Sequence, residues 1–133
     1  MKILVPIDPS SSSLIAVTKA VAMAKLDGSS LTLLAVAETF EDMESLFGAE
    51  ATERMNERAT KALDAAKALA ADAKTMLKTG VSPEDIICDA AEKGGFDLIV
   101  MGTRSKKGNT GLRLGSVASK VAALAHCSVM VVR

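Results

Sequence analysis

Apolar residues along the chain fall into two kinds of run. KILVPI (2–7), SLTLLAVA (30–37), FDLIVMG (96–102) and SVMVV (128–132) are short, nearly continuous and rich in branched side chains. Such runs read as strands covered on both faces. Between them the apolar positions recur at helical spacing. Ser10 to Ser13 offer N-caps for a helix carrying LIAVTKAVAMAKL, and Gly28 ends it. Met55, Ala59, Ala62, Ala66, Leu69 and Ala73 form one stripe on a long helix, opposite a solvated face of Glu57, Arg58, Lys61, Asp64 and Lys67. Ser82, Pro83, Glu84 and Asp85 supply a cap, a first-turn proline and early acids for a helix through IICDAAEK, closed by Gly94 and Gly95. A last helix starts at Ser116. KTMLKTG (74–80) either finishes the long helix or forms a short edge strand.

With that edge strand the order is β-α-β-α-β-α-β-α-β. Strands apolar on both faces then predict an α/β fold, a single open doubly wound parallel sheet of five strands with helices on both sides. The expected strand order is the flavodoxin-like 3-2-1-4-5, in one domain over residues 1–133. No repeat, low-complexity tract or linker interrupts it.

Composition narrows the function. Sixteen basic residues balance sixteen acidic ones, so no global field draws in nucleic acid. MKILVPIDP is too short an apolar run for a signal peptide, and no stretch reaches the ~20 apolar residues of a membrane helix. The expectation is a soluble, cytoplasmic protein without nucleic-acid or membrane partners. Cys88 and Cys127 sit in apolar contexts and read as free thiols, with a disulfide as the alternative. The single histidine, His126, has neither a nucleophile nor paired acids nearby in sequence, and reads as structural. The seven methionines read as core filler.

Chemistry concentrates in MGTRSKKGNTGLRLGS (101–116), which holds four glycines, four cations and no acid between a strand and a helix. In the expected order the winding reverses between the first and fourth strands, and ligands of open α/β sheets bind beyond the strand ends at that point. Pro6, Ile7 and Asp8 lie on one side of it, Met101, Gly102 and the glycine loop on the other. A carboxylate facing bare amides and a helix N-terminus suits a nucleotide, ribose to one side and phosphate to the other. Neither GxGxxG after the first strand nor GxxxxGK[ST] anywhere is present, which excludes a dinucleotide fingerprint and a P-loop. Asp8 has a rival role, capping the serine-rich helix start, and Lys106 and Lys107 read either as phosphate partners or as solvated loop charge.

At this level the chain resembles the universal stress proteins over essentially its whole length. The likeness lies in the VPID opening, the strand ending near Val36, SPEDIICDAAEKGGFDLIVMGTR and GSVASKVAALAHCSVMVVR. The ATP-binding branch carries G-x2-G-x9-G-[ST]. Gly102, Gly115 and Ser116 match it with the spacing kept, while Ser105 stands where the second glycine belongs. The resemblance implies ATP as ligand, with Mg2+ carried on its phosphates. It implies Pro6, Ile7 and Asp8 around the adenosine, Val36 against the base, and Met101 and Gly102 at the ribose and phosphates. Gly115, Ser116 and Val117 would hold the phosphate tail, with Arg104 and Ser105 among the binding positions. Ser105 is expected to weaken the cradle by about 1 kcal/mol without abolishing it.

The resemblance further implies a homodimer paired through the flat terminal strand SVMVV, and an interaction or signalling module rather than an enzyme. Two alternatives stand beside it: a nucleotide-free dimeric interaction protein, and a slow ATPase or autophosphorylating protein.

Overall fold

The computed structural model describes residues 1–103 and 114–133. Five parallel strands are joined by helices: β1 (Lys2–Ile7), α1 (Ser11–Asp27), β2 (Ser30–Glu38), α2 (Met43–Phe47), α3 (Ala49–Leu69), β3 (Lys74–Gly80), α4 (Pro83–Lys93), β4 (Leu98–Gly102), α5 (Ser116–Leu124) and β5 (Ser128–Val132). The sheet order is β3-β2-β1-β4-β5, the doubly wound order expected from the apolar pattern.

Strand alternation divides the core in two. Ile3, Val5, Leu33, Ala35 and Val100 face α1 and α3, while Leu4, Leu34, Ile99 and Met101 face α4 and α5. Ile3, Leu4, Leu33, Leu34 and Ile99 are fully buried, so truncating any of them to Ala would cost about 2–5 kcal/mol. Helix α1 buries Ser13, Ala16, Val17 and Ala20, an i, i+3, i+4, i+7 stripe of mostly small residues that lets it lie close to the sheet. Gly28 closes it in the left-handed region at φ 74°, its N–H donating to the Ala24 carbonyl at 2.8 Å.

Residues 74–80 form a strand, and it lies at the sheet edge with most side chains exposed. Lys74 and Lys78 guard that edge against pairing with other chains. The long helix stops at Leu69, which is 49% exposed, and Leu63 rather than Leu69 fills the core position. Ala73 is buried in the approach to β3 instead of on the helix. An alanine-rich stripe carries so little apolar area per residue that its period fixes the buried face only loosely. The five-residue α2 was absent from the sequence expectation. It exposes Leu46 and Phe47, and Phe47 meets Phe40 edge to face at 5.8 Å.

The register places the site. β1 pairs β2 along its whole length, through Ile7 opposite Ala35, but the β1–β4 register stops at Leu4 opposite Ile99. Pro6 has no N–H to extend a ladder. Beyond that point β1 and β4 part, and a cleft opens between their carboxyl ends.

Candidate functional site

The cleft at the parting of β1 and β4 has a volume of about 260 Å3. Pro6, Ile7 and Asp8 form one lip, Met101 and Gly102 the other. Val36 stands beside them on β2, and Gly115, Ser116 and Val117 bring in the start of α5. Nine of the expected site residues thus converge on one opening. The remaining two, Arg104 and Ser105, lie outside the described residues, as do Lys106 and Lys107.

Asp8 is held by the start of α1. Its Oδ1 accepts the Ser10 N–H at 2.8 Å and the Ser13 hydroxyl at 2.8 Å, as well as the Ser10 hydroxyl. Ser13 Oγ accepts the Asp8 N–H in return, at 2.9 Å. Ser13 is 4% exposed, so this exchange is shielded from water. Asp8 therefore braces the helix entry from outside the cap position that its rival reading gave it, and lines the cleft as well. Ser10 is the N-cap residue, with its side chain turned to Asp8 rather than to the first-turn amides.

Gly102 lacks a side chain for a reason internal to the fold. A Cβ there would lie 2.3 Å from the Ser12 carbonyl oxygen and 2.6 Å from its carbon, so glycine is what lets β4 pass under the first turn of α1. Gly115 is the N-cap of α5, in extended conformation at φ −60° and ψ 158°. It has no side chain to satisfy the amides of the first turn, and α5 carries no acid there. A helix start without a side-chain cap, together with the helix dipole, favours an anion at the Ser116–Val117 end of the cleft.

Several lining residues were missed from sequence. Leu34 and Glu38 flank Val36 at two-residue spacing and so share its face of β2; ending that strand at Ala37 hid Glu38. Pro83 and Ile87 on α4 wall the cleft. Lys120 on α5 ties that wall to its neighbour through Glu84 at 3.4 Å. The Glu84 carboxyl is held below its ordinary range, first by a hydrogen bond from its own backbone N–H at the helix start, then by Ser82 and Lys120. Thr103, a position the glycine motif leaves open, is 5% exposed and accepts the Gly115 N–H on Oγ1 at 3.0 Å.

A larger groove of about 600 Å3 lies between β3 and α4. Its cations are Lys74 and Lys78 of the edge strand, Lys93 of α4, which pairs with Asp89 at 3.1 Å, and Lys2 of β1. The Lys2 Nζ donates to the Gly94 carbonyl and lies 4.8 Å from the Phe96 ring centroid. Among the described residues, no group of three or more His, Cys, Asp or Glu side chains is placed to hold a metal ion. Cys88 and Cys127 are free and half-buried, and burial is the main cause that pushes both thiols above their ordinary range. No described helix is long and apolar enough to cross a membrane.

The universal stress protein family model matches residues 1–133. The chain belongs to the universal stress protein family. It is 35% identical to universal stress protein YxiE of Bacillus subtilis (strain 168), over 99% of this chain and 98% of that protein. Among solved structures it resembles universal stress protein UspA from Lactobacillus plantarum, with a TM-score of 0.81 and 29% identity over 100% of this chain and 97% of that one. It also resembles a universal stress protein solved in complex with cAMP, with a TM-score of 0.67 and 26% identity over 100% and 97% of the two chains.

Proposed function

We propose that the cleft binds an adenine nucleotide, ATP being the form its phosphate end suits best, and that binding acts as a signal rather than as a step of catalysis. The observation that carries this reading is the convergence of two unlike ends in one opening. Asp8, fixed by Ser10 and Ser13, lines it at the end of β1, and Ser116 and Val117, the start of a helix without a side-chain cap, line it from α5. A universal stress protein with cAMP bound supports the same ligand class.

In this arrangement Pro6, Ile7 and Val36 offer the base an apolar wall. Asp8 takes a hydroxyl or amino hydrogen of the adenosine, and the start of α5 takes the phosphates. Any Mg2+ travels on the phosphate oxygens, with Asp8 and Glu38 as the carboxylates lining the cleft. The hydroxyls that meet Asp8, those of Ser10 and Ser13, brace the start of α1, and the reading assigns no chemistry to them. The protein acts in the cytoplasm as a homodimer joined along β5, the outer strand beside β4, whose Val129 to Val132 are only half-buried.

Ser105 favours a second reading, a nucleotide-free dimeric interaction protein, because it departs from the glycine pattern at one position. The ultraviolet spectrum separates the two. With no Trp and no Tyr the chain absorbs little at 280 nm, so nucleotide carried through purification dominates near 260 nm. The first reading expects that peak, or its appearance after incubation with ATP and gel filtration. A flat spectrum under both conditions supports the second.

A further inference from the structure

Thr103 joins three elements at the edge of the cleft. Its N–H donates to the carbonyl of Val132, near the end of β5, at 3.2 Å. Its hydroxyl oxygen accepts the N–H of Gly115, the N-cap of α5, at 3.0 Å. The side chain is buried, so neither bond competes freely with water. Gly115 is held from the other side as well, since its carbonyl accepts the Ser119 N–H at 2.9 Å and so closes the first turn. A glycine without such restraints has the widest backbone freedom of any residue. Here its N–H is turned inward to Thr103, and the next residues, Ser116 and Val117, open the helix and line the cleft with Asp8.

We propose that Thr103 is a positioning residue for the phosphate end of the cleft. By engaging the Gly115 N–H it fixes which amides of α5 meet an anion, and so sets the preference of the site for phosphorylated adenine nucleotide over the bare nucleoside. This rests on the nucleotide reading above. The adenosine end, built on β1 and β2, does not depend on Thr103.

The test uses the full-length protein and two variants. Thr103→Val keeps the branched shape and deletes the acceptor; Thr103→Ser keeps the acceptor. Each is titrated calorimetrically with AMP and with adenosine, and exchange of the Gly115 amide is followed by NMR. Thr103→Val should raise the Kd for AMP about three- to tenfold, the worth of one hydrogen bond, and leave adenosine within about twofold. Thr103→Ser should keep the natural Kd for AMP, and Gly115 exchange should quicken only in the valine variant. Equal losses for AMP and adenosine, or tighter AMP binding once the Gly115 amide is released, would overturn the assignment. If the natural protein binds neither compound, the nucleotide reading fails and takes the phosphate preference with it. Gly115 exchange then judges the clasp alone, and an unchanged rate in Thr103→Val refutes that too.

Discussion

Gly102→Ala probes the contact that shapes the cleft. The added Cβ would lie 2.3 Å from the Ser12 carbonyl oxygen, 2.6 Å from the carbonyl carbon and 3.0 Å from the Ser12 Cβ. The nearest approach is about 1 Å short of ordinary contact, and the obstructing atoms are backbone, with no rotamer that relieves them. Either β4 or the first turn of α1 has to move. Overpacking of this kind costs about 1–3 kcal/mol. At about 4 °C per kcal/mol for a chain of this length, Tm should fall by about 4–12 °C. The same shift carries Ser13, the buried partner of Asp8, so nucleotide affinity should fall with stability. Gly28→Ala is the control. Gly28 sits at φ +74° with open space around it, so alanine there meets only backbone strain, about 1–2 kcal/mol, and should leave binding untouched. Differential scanning calorimetry of both variants checks the reasoning. A Gly102→Ala protein melting within a degree of the natural one would refute the close approach of β4 and α1.

Other perturbations test neighbouring parts. Ser13→Ala removes a buried donor and acceptor from Asp8 and should cost about 1–3 kcal/mol in urea unfolding; an unchanged midpoint would contradict the bracing role. Ser105→Gly should tighten ATP several-fold and barely change adenosine, and titration of both ligands would show it. Light scattering should return a dimer mass, and Val131→Pro should return a monomer by disturbing the outer strand; a natural monomer at micromolar concentration would remove the β5 interface. Because burial raises the Cys88 and Cys127 pKa in the folded state, the folded chain holds their protons longer than the unfolded chain. That stabilising contribution is complete below the unfolded pKa and is lost as pH rises through the folded one. Alkylation at pH 8 should accordingly be slower in the native protein than in urea, and equal rates would contradict the burial.

Most of the architecture was legible because the strands announce themselves. KILVPI and SVMVV match β1 and β5 to the residue, and Ser82–Pro83 and Ser116 mark the starts of α4 and α5. Such boundaries depend on local chemistry, a cap, a proline or a glycine, that the sequence carries openly. The edge strand β3 was ambiguous because a strand with one bare side loses the apolar signature of its neighbours. The cleft was legible from topology, since a strand-order reversal fixes which loop ends face each other. What escaped were residues whose role is a tertiary hydrogen bond or packing face. Ser10 and Ser13 belong to a run of four consecutive serines, and nothing local says which of the four turn to Asp8. Thr103 bonds Gly115 across twelve positions, a pairing that only the fold creates.

Calorimetric titration of the natural protein with ATP tests the central claim most directly. The account predicts a saturable heat with one nucleotide per chain. Asp8→Ala should weaken it by about 1.5–3 kcal/mol, near one charge-assisted hydrogen bond. Saturable binding that Asp8→Ala leaves unchanged would place the nucleotide elsewhere on the molecule, and no heat from the natural protein would contradict nucleotide binding by this cleft.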